Sequence, residues 1–316
     1  MVHAPDALAP GTEATVRVPA SSANLGPGFD SIGLALGLWD ECTATVTDQP
    51  GLEVVVEGES AAEVPRDASH LVYRTMLIAW QEQGVPVPAG LRLHCSNGVP
   101  HGRGLGSSAT AIVTGIAAAQ ALSLAGGGEP GADLDLGAAN SLASRVEGHP
   151  DNASASVYGG FTLSWSDDPG PRPRTTTIRL PIHPEVTAVV FVPAEQLSTA
   201  RARSVLPTHV RHRDAALNSA RAALLVHAVG HDPAYLMSAT REWLHQEPRR
   251  ASYAASMVLV DRLREAGHAA VISGAGPSVL VLSTRERAAA AAALADRAWR
   301  VLEPGIPASG ATWVRD

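Results

Sequence analysis

The stretch Pro100-His-Gly-Arg-Gly-Leu-Gly-Ser-Ser-Ala109 opens into the longest uncharged run of the chain, Gly104 to Gly128. Its glycines let the backbone turn sharply and approach a ligand closely. Where such a loop runs into a helix, the first N–H groups and the helix dipole attract an anion. The two serine hydroxyls suit either a helix cap or a metal ion. On spacing alone, an ordinary glycine-rich loop with a serine N-cap reads equally well. Gly104–Ala109 also fits a G-x-G-x-x-A dinucleotide pattern, but the polar Ser96–Arg103 loop separates it from the preceding strand-like run. The acidic residue at a fitting distance, Glu129, lies among glycines, so dinucleotide binding is not expected. The uncharged run holds few large apolar residues (Leu105, Ile112, Val113, Ile116, Leu122, Leu124), and Ala, Gly, Ser and Thr fill the rest. That composition predicts a tightly packed internal helix rather than a membrane span.

Outward from this segment, the chain is globular. It has 316 residues, 45% hydrophobic and 17% charged, with a net charge of −7. Such a balance predicts neither a nucleic-acid partner nor a membrane. Cys42 and Cys95 are too few for a disulfide framework or a multi-cysteine metal site and are expected to pack as small apolar groups. The start, MVHAPDALAPGTEA, shows no basic region followed by an apolar one, so no secretory signal is read there and a cytoplasmic location is expected. All 24 cationic residues are arginine. Chemistry that needs a lysine amine is therefore closed to the chain, and phosphate must be held by backbone N–H groups, arginine, helix dipoles or a metal. The six tryptophans are expected to be packing groups.

Strand-like runs fall at Ala14–Val18, Thr43–Thr47, Leu52–Val56, Leu91–Cys95, Thr187–Val192, Ala269–Ile272 and Val279–Leu282. Helix-like runs fall at Leu71–Gln83, Ser108–Leu124, Leu134–Glu147, Asp214–Val229, Ala254–Ala266 and Arg287–Arg300. The elements do not alternate strictly, which predicts an α+β fold. The Pro/Gly-rich segment Asp167–Pro173 is the natural boundary, giving an N-terminal domain over 1–168 and a C-terminal domain over 169–316.

Three more segments carry polar groups in turn-like settings. Pro19-Ala-Ser-Ser-Ala-Asn-Leu-Gly-Pro-Gly-Phe-Asp30 follows a strand and offers Asn24 and Asp30 to a polar ligand, or is a plain turn. Glu147-Gly-His-Pro-Asp-Asn152 ends a helix; His149 and Asp151 there are too few to make a metal site. Ser273-Gly-Ala-Gly-Pro-Ser278 joins two strand-like runs as a tight hairpin or a second backbone nest.

Taken together and in this order, these segments resemble the galactokinase, homoserine kinase, mevalonate kinase and phosphomevalonate kinase (GHMP) superfamily. Its phosphate-binding motif P-x-x-x-G-L-G-S-S-A is matched from Pro100 to Ala109. The likeness is sharpest to the homoserine kinase family, through Asn24–Asp30, Glu147–Asn152, Ser198-Thr-Ala-Arg-Ala-Arg203 and Ser273–Ser278, and it spans nearly the whole chain. The absence of lysine agrees, since mevalonate kinases rely on a catalytic lysine near the N-terminus.

The resemblance implies two α+β domains with the active site between them, and ATP and Mg²⁺ as cofactors. The implied nucleotide contacts are Pro100, Arg103, Gly104, Leu105, Gly106, Ser107, Ser108 and Ala109, and the implied metal ligands are Ser108 and Glu147. The implied substrate contacts are Arg203 and Arg249 for a carboxylate, Asn24 and Asp30 for an amino group, with Thr199 beside them. His149 and Asn152 would lie near the acceptor hydroxyl. Arg250 competes with Arg249, because Glu247-Pro-Arg-Arg250 leaves the register open by one. Asn152 and Arg203 are the implied catalytic residues; an amide takes no proton, so alignment rather than a strong base is expected. Many relatives have Asn in the adenine pocket where this chain has His70-Leu-Val72, and Lys near the glycine loop where it has Ser96. The implied activity is ATP-dependent phosphorylation of the L-homoserine hydroxyl in threonine biosynthesis, with small-molecule partners and a homodimer as the candidate assembly. The rivals are another GHMP small-molecule kinase and a catalytically silent small-molecule-binding regulator.

Overall fold

The structure is a computed structural model that describes residues 8–127, 131–166 and 174–315. The N-terminal half runs β1 (Glu13–Asn24), β2 (Gly28–Val46), β3 (Gly51–Gly58), α1 (Leu71–Gln83), β4 (Gly90–Asn97), α2 (Ser107–Ala125), α3 (Leu136–Glu147), α4 (Pro150–Tyr158), β5 (Phe161–Ser166) and β6 (Thr175–Leu180). There follow β7 (Val186–Pro193), α5 (Thr199–Ser204), α6 (His212–Gly230), α7 (Leu236–Ala239), α8 (Ala254–Glu265), β8 (Ala269–Ile272), β9 (Val279–Thr284), α9 (Arg285–Ala292), β10 (Trp299–Leu302) and β11 (Thr312–Val314).

The strands form two largely antiparallel sheets with the helices segregated from them, an α+β arrangement. The larger has the order β11-β1-β2-β4-β3, with β5 on β2 and β6 on β5; the smaller has the order β10-β7-β9-β8. All pairs are antiparallel except β3 with β4. Helices α1 to α4 cover one face of the larger sheet in a core that includes Trp80, Leu93, Val113 and Ile116. In β7, Val186, Ala188 and Val190 face the larger sheet's second core, while Val189 and Phe191 face α8 and α9. Burial on both faces explains why this strand reads as a continuous apolar run rather than an alternating one.

Helix α2 is long and apolar enough to cross a membrane, the one such helix among the described residues. It is buried without a break from Ile112 to Leu122. Trp80 of α1 donates its indole N–H to the Ala119 carbonyl at 3.2 Å. The run is thus the internal helix that its small residues predict.

Three local expectations are corrected. The segment Pro19–Asp30 is not a loop after a strand: β1 continues to Asn24, and only residues 25–27 turn before β2 begins. Its small polar residues have weak strand preference, yet Ser21 and Ser22 pair with Ala35 and Leu34 and are fully buried. Ladder pairing and burial override local propensity there. For the same reason β2 extends from Gly28 to Val46, far beyond the run at Thr43–Thr47. The helix expected over Arg287–Arg300 stops at Ala292, and Trp299–Leu302 pairs with β7 instead. Beyond the buried Ala288 and Ala291, residues 293–298 offer little further apolar surface to a helix, whereas Trp299 and Val301 pack against the core under the second sheet.

The Asp167–Pro173 break, Glu129 and the first seven residues lie outside the described residues. The strands on either side of that break pair with each other, from Phe161↔Leu180 to Ser166↔Thr175. The chain passes from the first sheet to the second between Leu180 and Val186.

Candidate active site

The glycine loop is held from both sides. Ser21 of β1 donates its backbone N–H to the Leu105 carbonyl at 3.1 Å, and Ser278 donates its own to the Arg103 carbonyl at 3.2 Å. The Ser273 hydroxyl donates to the Gly104 carbonyl at 2.6 Å. Only glycine fits at two points. Gly104 (φ +74°) would put a Cβ 2.3 Å from the Ser273 carbonyl oxygen, and Gly106 (φ +70°) would put one 2.2 Å from the Ser21 hydroxyl. Gly106 is the residue that caps α2, and no side chain caps this helix. The reading of an ordinary serine N-cap is therefore excluded, and the first N–H groups of α2 have no side-chain cap.

Not every residue of the motif faces the start of α2. The Arg103 guanidinium is turned onto the carbonyls of His101, Pro193 and Ala194 at 2.9–3.1 Å, so it anchors the loop to the end of β7. Leu105 and Ala109 are fully buried in the two cores, and Pro100 is buried too. What they can offer is backbone and packing.

Ser107 and Ser108 lie between two cavities and line both. The first, of about 160 Å³, also holds Asn24, Glu147, His149, Asn152, Thr199, Arg203 and Arg249. Ser108 and Glu147, 39 residues apart, meet here, with the serine hydroxyl donating to Oε2 at 2.9 Å. Burial pushes the Glu147 carboxyl up, against the lowering effects of His149 and Ser108. Its other oxygen lies 4.0 Å from the His149 Nε2, and a desolvated carboxylate beside a serine hydroxyl fits a divalent ion, which uses few protein oxygens beside phosphate and water.

Helix α4 starts at Pro150, with His149 as its N-cap. The His149 Nδ1 and the Asp151 Oδ1 are 2.8 Å apart, and the same oxygen accepts from the Asn152 N–H at 2.8 Å. Burial depresses the His149 pKa, but the Asp151 hydrogen bond and charge, with Glu147, outweigh it and hold the ring above its ordinary value. Asp151 is only 1% exposed. The sequence reading weighed it only as a metal ligand; it is the partner that orients His149. Asn152 Oδ1 accepts from the Ser21 hydroxyl at 3.1 Å, which ties the acceptor end to the glycine loop.

At the opposite end the structure differs from the simple expectation of free contact groups. Asn24 has both ends of its amide engaged: Nδ2 donates to the Gly274 carbonyl at 3.0 Å and Oδ1 accepts from the Asp30 N–H at 3.1 Å. Asp30 itself is bridged to Arg203. The open choice between neighbouring arginines is resolved by burial. Arg249 is 1% exposed and lines the cavity, whereas Arg250 is bound outside to Glu247 and Asp261. Arg201, two residues before Arg203, is exposed. Phe29, under both Arg203 and Arg249, was not singled out from the sequence, since one aromatic in a glycine-rich turn carries no periodicity.

The second cavity, of about 270 Å³, is lined by Asp40, Cys42, His70, Val72, Cys95 and Thr114 among others. His70 is 5% exposed, and its Nδ1 has no hydrogen-bond partner. Burial holds its pKa down and so favours the neutral ring, which offers one donor and one acceptor. Asp40 accepts from the N–H groups of Gly98 and Val99 at 2.9 and 3.0 Å, which fixes the approach to the glycine loop. Burial pushes its carboxyl up to about 7, against those two hydrogen bonds. The folded value lies above the ordinary 3.8, so the stability tied to this group is full below that value and lost as pH rises through 7. Asp40→Asn keeps an acceptor for both N–H groups and carries no charge. It is expected to raise the melting temperature at pH 8, with the gain fading toward pH 4; equal shifts at both pH values would contradict a proton-retaining Asp40.

Comparison with known proteins agrees with this geometry. The family model "GHMP kinases N terminal domain" matches residues 70–160, and "GHMP kinases C terminal" matches residues 224–299. The chain is 47% identical over 311 residues to a homoserine kinase of Clavibacter michiganensis subsp. michiganensis, covering 97% of this chain and 95% of that one. It is 47% identical over 277 residues to a homoserine kinase of Mycobacterium tuberculosis, covering 88% and 86%. A crystal structure of homoserine kinase from Cytophaga hutchinsonii superposes with a TM-score of 0.82 at 24% identity, covering 96% of this chain and 98% of that one. A mevalonate kinase of L. major in complex with R-mevalonate gives 0.67 at 15% identity, covering 96% and 99%. At those identities the structural likenesses show the fold.

Proposed function

We infer the activity from one premise: the chain belongs to the GHMP kinase family, in its homoserine kinase branch. It transfers the terminal phosphoryl group of ATP to the side-chain hydroxyl of L-homoserine, giving O-phospho-L-homoserine for threonine biosynthesis in the cytoplasm. The observation that carries the reading is the uncapped start of α2 set between two cavities, one walled by His70 and Asp40, the other by Glu147, Asn152 and Arg249.

In this reading the nucleobase occupies the His70 cavity, and the phosphates lie on the N–H groups of Gly104–Ser108, which answers the absence of lysine. Ser108 and Glu147 would hold Mg²⁺, which when bound neutralises charge on the phosphates. Arg249, whose buried guanidinium lines the Glu147 cavity, would pair with a carboxylate. Asn152, held by Ser21, orients the acceptor hydroxyl, with His149 and Asp151 beside it. Alignment and charge stabilisation supply most of the catalysis in a loose phosphoryl transfer. The intact Ser108–Glu147 pair favours a catalyst over a silent binding protein.

A coupled ADP-release assay across homoserine, serine, threonine, mevalonate and galactose tests the reading. Homoserine is expected to give the highest kcat/KM. A higher value for any other alcohol would assign a different substrate, and no turnover with any of them would favour a binding protein.

A further inference from the structure

The chain has two cysteines, 53 residues apart, and the fold brings them together. Cys42 of β2 and Cys95 of β4 are direct cross-strand partners in antiparallel register. The Cys95 thiol donates to the Cys42 sulfur at 3.6 Å. Both belong to the core between the larger sheet and its helices, Cys42 at 0% and Cys95 at 3% exposure. Packing as small apolar groups is only half of their setting, because both also line the His70 cavity. Its free volume of about 270 Å³ admits a small hydroperoxide with room to spare. Asp40, two residues before Cys42, holds the N–H of Gly98, three residues after Cys95, at 2.9 Å. The thiol pair therefore adjoins the clamp that fixes the approach to the glycine loop.

We propose that Cys42 and Cys95 are an oxidative modification site: a hydroperoxide entering the cavity converts the dithiol to a disulfide, and the closure weakens nucleotide binding there. The last step rests on the nucleobase assigned to this cavity above. Cys95, the more exposed of the two, attacks the peroxide; its sulfur takes one oxygen as the O–O bond breaks, and its proton leaves with the other oxygen. The Cys42 sulfur then attacks the sulfenic sulfur. The S–S bond forms, the S–O bond breaks, and water leaves with the Cys42 proton. Two thiols give up two electrons, and hydrogen peroxide is reduced to two waters. A small dithiol reverses the change by thiol–disulfide exchange. The hydrogen bond from Cys95, with burial, pushes the Cys42 thiol up, which suits it to the second role, since a protonated thiol does not open the attack. The sulfurs must close by roughly 1.5 Å to bond, which draws β2 and β4 together at the cavity wall and shifts the Asp40 clamp. In a reducing compartment the dithiol is the resting state, and a disulfide there is a transient signal.

In the test, the full chain is treated with hydrogen peroxide and quenched; one portion is unfolded, alkylated and weighed by mass spectrometry, and another is assayed for turnover. The expected product has lost two hydrogen atoms, takes up no alkylating reagent, runs as a single chain without reductant, and reverts with dithiothreitol. Because the chain has no third cysteine, that product holds one possible bond. The KM for ATP is expected to rise roughly 10-fold, the scale of a one-methylene misfit in a closed pocket, with the KM for L-homoserine unchanged. Cys95→Ala is expected to keep its own ATP KM after peroxide; should it fail to fold, the wild-type mass and kinetics decide alone. Two alkylated thiols after a dose that fully oxidises the unfolded chain would overturn the site, as would sulfinic or sulfonic products or a cross-linked dimer. A disulfide that leaves the KM for ATP unchanged would overturn its effect on the cavity. Saturating ATP is expected to slow the oxidation by filling the cavity. Equal rates with and without ATP, in a chain that phosphorylates L-homoserine, would place the nucleobase elsewhere while the modification site stands.

Discussion

Gly106→Val is expected to abolish measurable ATP binding while leaving a folded protein. At φ +70° a side chain is strained by about 1–2 kcal/mol, and more for a β-branched one. The added Cβ would lie 2.2 Å from the Ser21 hydroxyl and 3.1 Å from the Asn152 Oδ1, so Ser21 must give way. Moving Ser21 breaks its hydrogen bond to Asn152 and disturbs its backbone link to Leu105. The loop proposed to hold the phosphates and the amide proposed to orient the acceptor are thus disturbed together. Strain of that size lowers a melting temperature by several degrees without unfolding a chain of this length. Calorimetry with ATP, paired with a thermal melt, checks this. Wild-type affinity in a cooperatively folded variant would place the phosphates elsewhere.

Glu147→Gln is expected to reduce turnover by at least about 10²-fold, the scale seen when one group aimed at transition-state charge is removed. Its melting temperature should stay level or rise. The carboxylate is desolvated, and burial already pushes its pKa up, so neutralising it relieves a charge the fold carries at a cost. The Ser108 hydroxyl keeps an acceptor in the glutamine carbonyl. Opposite signs for activity and stability separate a functional charge from a structural one. If raising Mg²⁺ fully restores turnover, Glu147 sets metal affinity alone; near-native turnover at ordinary Mg²⁺ would remove it from the site.

Several parts of the fold and site were legible because they are local. The glycines and serines of Pro100–Ala109 can only describe a tight turn into a helix. The apolar periodicity of Leu71–Gln83 and Ala254–Ala266 matches helices whose ends agree within a residue. The absence of lysine excluded whole chemistries by inspection. Other elements were illegible for the opposite reason. Strand β10 forms because β7 leaves an edge for it to pair with, and nothing within Trp299–Leu302 announces that edge. The buried serines of β1 are strand residues only because β2 lies beside them.

By itself, then, the order of residues determined the class of fold, the glycine-rich turn into α2, and the exclusion of any chemistry that needs a lysine amine. These follow from short-range sterics and from which functional groups exist at all. Only the tertiary structure decided which groups are free. It turned Arg103 onto carbonyls, sent Arg250 to solvent and Arg249 inward, and bound Arg203 to Asp30 across 173 residues. A side chain's availability depends on what the rest of the chain brings within about 3 Å of it, and spacing along the sequence does not carry that distance.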